Sequence, residues 1–217
     1  MKISDLFSKA DLDRIERATA EAERQTSGEI VPYIVERIDD HDEARWRGAT
    51  LGALSAALIA GVVHLASGFW GGTGVLWITL PTLVGAGAGY LVAGREAVSR
   101  WLVPADTLDR LTRARAAEAF VDEEIFATRD RTGILIFLAL AEHRAAVVAD
   151  EGINREVPET FWDGIVVDLV AGMKAGEAAE ALEHAVVRCG EILAEHRLAP
   201  RPDDTDELHG RPRIRGR

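Results

Sequence analysis

The chain has 217 residues and a formal net charge of −11. That balance argues against a nucleic-acid partner, because phosphate contacts need clustered Lys and Arg. A single cysteine, Cys189, excludes an intramolecular disulfide framework and agrees with a reducing compartment.

Met1 to Lys9 is polar and does not read as a signal peptide. Ser8 and Asp11 have the spacing of a capping box with Asp in place of Glu. Leu12, Ile15, Ala18 and Ala22 then recur at helical spacing, with charged residues opposite. The helix should end near Thr26-Ser27-Gly28, where the glycine can turn left-handed. Glu29 to Arg37 is rich in β-branched and aromatic residues and predicts a strand. Pro32 cannot donate to a ladder, so it marks an edge position or a bulge. Residues 38–43 read as an acidic connector.

From Gly48 to Gly94 there is no Asp, Glu, Lys or Arg, and His64 is the one titratable histidine. A membrane-spanning helix needs about 20 mostly apolar residues. The run is long enough for two spans, at about residues 50–69 and 75–93, joined by a turn at Trp70-Gly71-Gly72-Thr73-Gly74. Gly61, Gly85, Gly87 and Gly89 offer smooth surfaces for close helix packing, and Pro81 is placed to kink the second span. Arg45 and Arg47 precede the run, and Arg95 and Arg100 follow it. By the positive-inside rule both ends face the cytoplasm. His64 lies near the outer turn and reads as interfacial. A buried helical pair in a soluble core is the competing reading.

Beyond the run, Leu108, Leu111, Ala114, Ala117, Val121 and Ile125 form the stripe of another helix. Gly133 to Leu140 is almost wholly apolar, as expected of a central strand covered on both faces. Ala145 to Asp150 predicts its hairpin partner, and residues 151–157 a loop. Pro158 sits at the start of a helix through Phe161, Ile165, Leu169 and Met173. After Gly176 a last helix carries Leu182, Val186, Cys189 and Leu193. From Pro200 onward the composition predicts disorder. The strand before the apolar run must meet strands after it. An even number of spans allows that, and an odd number would separate them across a bilayer.

The stretches Arg131-Thr132-Gly133 with the apolar run after it, Val147 to Ile153, Phe161 to Ile165, and Cys189 to His196 together resemble the TPM domain family, also called TPM phosphatase or Psb32-like. The resemblance covers roughly residues 9–37 and 104–197, and it is to a membrane-inserted bacterial-type branch. It implies an α/β fold, a small mixed β-sheet sandwiched by helices, here interrupted by a two-helix transmembrane hairpin. The organisation expected is residues 1–43 and 101–198 as two parts of one domain, 44–100 as the hairpin, and 199–217 as a disordered tail.

Some members of the family bind calcium or a related divalent ion in an acidic cleft, and acid phosphatase activity has been proposed for plant members. Here Arg131 stands where the family's Asp-Asn-Gly has its Asp, and Asn154 where another motif has Glu. Glu159 keeps the acidic position of a third. Asp150 and Glu151 end a strand beside a glycine loop, and with Glu159 and with Asp122, Glu123 or Glu124 from the neighbouring helix they are the candidate ligands for Ca2+ or Mg2+, Asp122 being the one chosen from that run. No histidines pair at zinc spacing. There is no Gly-x-Ser-x-Gly, Walker A, dinucleotide or CxxC motif. Asp163 and Asp168 read as solvated, and Cys189 as core. The reading is a cytoplasmic binding or scaffolding module tethered to the inner (plasma) membrane. Its expected partners are the lipid bilayer and either another membrane protein or further copies of the chain. The alternative is a divalent-metal-dependent acid phosphatase.

Overall fold

The computed structural model describes residues 3–38, 42–67, 74–95, 98, 104–196, 208 and 210–215. It divides into two units, residues 1–38 with 108–217, and residues 39–107. The first is built on a four-stranded sheet in the order β3-β2-β1-β4, with β4 at Arg213–Arg215. Strand β1 (Glu29–Val35) runs parallel to β2 (Gly133–Ala139), and β2 is antiparallel to β3 (Arg144–Ala149). The register pairs Glu29 with Gly133 and Val35 with Ala139.

Alternation along the strands makes two cores. Ile30, Ile34, Ile134, Ile136 and Leu138 face one side and pack with residues of α2 (Lys9–Glu23), α7 (Thr160–Ala175) and α8 (Ala178–Glu195). Val31, Tyr33, Val35, Leu135 and Phe137 face the other side and pack with Ala116 and Ala119 of α5 (Ala105–Asp122). The result is a mixed α/β sandwich. Both central strands are buried along their whole length, which is why β2 is apolar without alternation.

The capping box forms as expected: the Asp11 amide donates to the Ser8 hydroxyl at 3.2 Å and the Ser8 amide to the Asp11 carboxylate at 2.9 Å. This holds the Asp11 pKa below the ordinary value, the Ser8 hydroxyl and then its backbone being the leading causes. Two local expectations fail. Helix α2 ends earlier, with Arg24 as an ordinary right-handed cap, and the left-handed glycine among the described residues is Gly176, after α7. Residues 151–154 form a short helix, α6 (Glu151–Asn154), because Asp150 caps its first amide. A short α1 (Ile3–Leu6) precedes α2.

Pro32 sits where its missing N–H costs nothing. The Glu29 amide donates toward β2, to Thr132, and the Glu36 amide toward β4, to Arg215. Alternation therefore turns position 32 toward the β4 side. Strand β4 (Arg213–Arg215) pairs in parallel with Tyr33 to Val35 and stops short of Pro32. The Ile30 amide, on the same open edge, donates to the Glu23 carboxylate at 2.8 Å.

β4 corrects the expectation of a disordered tail for residues 213–215. Composition there is polar, but one carboxylate holds the strand. Glu123 accepts from Arg213 and, at 2.7 Å, from Arg215, while its own side chain is only 10% exposed. Leu208 is buried against the α5 side of the sheet, and its amide donates to Glu29.

The second unit is a pair of antiparallel helices, α3 (Asp42–Ser67) and α4 (Gly74–Ala93). Helix α3 starts well ahead of residue 50, inside the expected connector. Of the expected turn at residues 70–74, Gly74 opens α4, and residues 70–73, like Arg100, lie outside the described residues. Their seam is built from small residues four apart. A Cβ on Gly52 would lie 2.1 Å from the Gly85 carbonyl oxygen, and one on Gly89 2.1 Å from that of Gly48. Gly48, Gly52 and Ala56 thus face Gly85, Gly89 and Ala93, a small-residue spacing on both helices. Gly61 and Gly87, expected to share this role, face open space. Helix α4 runs through Pro81 without interruption, and the Thr82 hydroxyl donates to the Ile78 carbonyl beside it.

Leu54, Leu58, Ile59, Leu76, Leu80 and Leu83 all point outward. Both helices are long and apolar enough to cross a membrane. Hydroxyls of Thr50, Ser67 and Thr79 donate to carbonyls one turn back within their own helix. Tyr90 meets Trp46 edge-on at 5.8 Å and the Arg45 guanidinium at 5.8 Å, tying the ends that adjoin the rest of the chain.

Two outcomes follow. Gly52→Leu should destabilise the helix pair by about 1–3 kcal/mol through overpacking, while Gly87→Leu should change it by less than about 0.5 kcal/mol. Thermal unfolding of the detergent-solubilised chain, followed by circular dichroism, measures both. Burial pushes the Glu123 carboxyl up, but the hydrogen bonds and charges of Arg215 and Arg213 outweigh it and leave its pKa below the ordinary 4.5. A depressed folded pKa means stability present above the unfolded value and lost as pH falls through the folded one. The urea-unfolding difference between wild type and Glu123→Gln should therefore be constant above about pH 5 and shrink as the pH falls below that ordinary value.

Candidate functional site

Of the acidic positions singled out in the sequence, Asp150 and Glu151 stand at the end of the sheet where β2 begins and β3 ends. Two backbone hydrogen bonds and one from a side chain fasten that end. The Asp150 amide donates to Gly133, the Gly152 amide to Arg131, and the Thr132 hydroxyl to the Ser27 carbonyl at 2.7 Å. Gly152 is required here, since a Cβ would lie 2.2 Å from the Asp130 carbonyl oxygen. Arg131 adopts a left-handed backbone, φ 59°, which costs a non-glycine residue about 1–2 kcal/mol.

Asp150 is the centre of the site and is 5% exposed. Its Oδ1 accepts the Glu151 amide at 2.7 Å, capping α6. Its Oδ2 lies 3.0 Å from Arg131 Nε. The N–H is not aimed at that oxygen, so the contact is an ion pair by distance, and buried Oδ2 has no hydrogen-bond partner among the described residues. The Arg131 guanidinium also lies 5.6 Å from the centre of the Phe126 ring. Asn154 donates its side-chain amide to the Ala149 carbonyl at 2.7 Å and so braces the turn.

The other three candidates do not join Asp150. Glu151 is exposed and pairs with Arg155 at 2.6 Å, and the Arg155 hydrogen bond holds its pKa below the ordinary value. Glu159 is exposed at the start of α7 and makes no capping bond. Asp122 is exposed at the end of α5. Within the acidic run 122–124 it is Glu123 that is withdrawn from solvent, and it is spent on β4. Only the two arginines of residues 213–215 hint at that in the sequence.

Among the described residues no three His, Cys, Asp or Glu side chains gather closely enough to hold a metal ion. A calcium ion takes about six to eight oxygen ligands. One buried carboxylate facing a guanidinium does not fit that requirement. The charge that would balance Asp150 comes from Arg131.

A second feature is a groove of about 670 Å³ between α7 and α8. Phe161, Ile165 and Ile192 line it with Asp168, His184 and Arg188. Asp163 and Asp168 are exposed, as expected. Cys189, on the inner side of α8, is fully buried, and burial pushes its thiol up to about 12, so it is inert.

Residues 97–192 match the family model of the TPM domain. That stretch is similar to the TPM domain, and it runs from just ahead of α5 to near the end of α8. The match leaves out α2 and β1, although β1 is the parallel neighbour of β2. A solved structure, the NMR structure of BA42 protein from the psychrophilic bacterium Bizionia argentinensis, is similar with a TM-score of 0.59 and 18% identity, covering 99% of each chain. That likeness concerns the fold. No curated protein matches the chain.

Arg131→Ala should destabilise the sheet domain by about 1–2 kcal/mol, because it leaves a buried carboxylate unpaired. Arg131 is itself half exposed, which keeps the cost below the roughly 3–5 kcal/mol of a fully buried pair. Arg131→Ala/Asp150→Asn should recover part of the loss. Urea unfolding of the solubilised chain is the measurement.

Proposed function

We propose that the chain is a TPM domain tethered to the cell's inner membrane by the α3–α4 pair, with the domain on the cytoplasmic side as a binding or scaffolding module. The observation that carries the tether is the outward face of the helix pair. Nothing in its own unit covers Leu54, Leu58, Leu76, Leu80 or Leu83, which stand exposed on both helices. A water-soluble domain rarely leaves so large an apolar surface uncovered. Arg45, Arg47 and Arg95 flank the pair at one end and favour the cytoplasm there.

A binding role is supported by how the acidic groups are used. Asp150 caps a helix and faces Arg131, Glu151 pairs with Arg155, and Glu123 holds β4. The α7–α8 groove supplies a concave surface with mixed apolar and charged lining. One observation favours the second reading, a divalent-metal-dependent acid phosphatase: the buried Oδ2 of Asp150 accepts no hydrogen bond among the described residues, although the Arg131 guanidinium lies 3.0 Å away.

Alkaline carbonate extraction of membranes from expressing cells tests the tether. The full chain should stay with the membrane pellet, and its release would contradict the reading. Calorimetric titration of the solubilised full chain with Ca2+ and Mg2+ separates the two roles. The module reading expects no saturable heat. Micromolar binding lost in Asp150→Asn would overturn it in favour of the phosphatase.

A further inference from the structure

The sheet's one lightly held element is β4. It is three residues long, and its middle side chain, Ile214, is 41% exposed. Apolar burial therefore does little to hold it. What holds it is the ladder to Tyr33–Val35, the shared carboxylate of Glu123, and buried Leu208 behind it. Glu123 Oε1 accepts from both Arg215 Nη2 and Arg215 Nε, the second at 3.3 Å, and Oε2 accepts from Arg213. A nearly buried carboxylate facing two guanidiniums two residues apart reads an extended Arg-x-Arg segment.

Beneath β4 lies the edge of β1. An uncovered strand edge offers a row of amides and carbonyls to any extended chain. We propose that this edge, with Glu123 beside it, is a docking site for an extended Arg-x-Arg strand, filled here by residues 213–215 of the same chain and filled in trans by those of a second copy. The second copy is favoured because it carries the one sequence that the structure shows seated there. Exchange replaces each contact by its identical counterpart and requires no new complementarity. Residues 197–207 connect α8 to Leu208, and a chain of that length reaches at most about 36–40 Å when extended. That is enough to reach a neighbouring domain. The tether also gives the strand an effective concentration in the millimolar range for its own site, so exchange is expected where copies are crowded. The inference rests on the sheet and does not depend on the membrane reading.

Complementary defects test it. Glu123→Arg spoils the site and leaves the strand intact. Arg213→Ala/Arg215→Ala spoils the strand and leaves the site intact. Full-length forms carrying different tags are mixed in detergent after circular dichroism shows both folded. The mixture should co-purify and show a doubled protein mass by light scattering, while each variant alone stays monomeric. Independently, a fluorescent peptide of residues 206–217 should bind the Arg213→Ala/Arg215→Ala chain saturably, and wild type at least about tenfold more weakly, since its own strand competes. Monomers in the mixture with no peptide binding would overturn the proposal. Peptide binding without pairing of the two variants would overturn the second copy as occupant.

Discussion

The parallel pairing of β1 with β2 is the constraint on which the structure depends. The two strands are joined in register from Glu29–Gly133 to Val35–Ala139, yet almost a hundred residues separate them along the chain. Much of that interval is the α3–α4 pair. The chain must leave the sheet, form two long apolar helices and return beside the strand it left. Two antiparallel helices do this and one would not. If the apolar surface of the pair lies in a bilayer, the sheet can close only when both halves stay on the same side. The fold and the membrane topology are then the same requirement seen at two scales.

The helix pair meets it with little side-chain chemistry. Gly48, Gly52, Gly85 and Gly89 bring the two backbones together, where dispersion contacts and excluded volume set the register. Large side chains are left for the outer surface. The sheet uses the opposite device: large β-branched and aromatic residues fill both of its faces, and charged residues gather at its ends. At one end Arg131 neutralises a buried carboxylate, and at the edge Glu123 gathers two guanidiniums. In both places a protein charge holds the balancing position for the carboxylate.

Much of this was legible in the sequence. Periodicity gave the strands and long helices of the sandwich because burial on one or two faces imposes it. The Ser8–Asp11 cap was readable because its chemistry is local. Pro32 as an edge marker was readable for the same reason, though the edge is filled by β4 for only part of its length. Other features were not legible because they depend on contacts distant in sequence. Nothing near Glu123 announces that Arg213 and Arg215 will reach it, and residues 200–217 have the composition of a disordered segment. The seam is half legible: Gly85 and Gly89 belong to it as the sequence suggests, while Gly61 and Gly87 face open space and Gly48 and Gly52 take part instead, since helix phase cannot be fixed without the partner helix. The surroundings of the acidic candidates are not legible for a related reason: Asp150 faces Arg131 and Glu151 pairs with Arg155, while Asp122 and Glu159 are exposed.

The central claim is that two membrane crossings interrupt a single sheet. Site-directed labelling with a membrane-impermeant thiol reagent tests it most directly, because native Cys189 is buried and silent. Gly72→Cys, between the two helices, and Asp163→Cys, on the exposed face of α7, would be labelled in intact cells and again after lysis. The account predicts that residue 72 reacts in intact cells and that residue 163 reacts only after lysis. Reaction of both positions in intact cells, or shielding of residue 72 while residue 163 reacts, would contradict it.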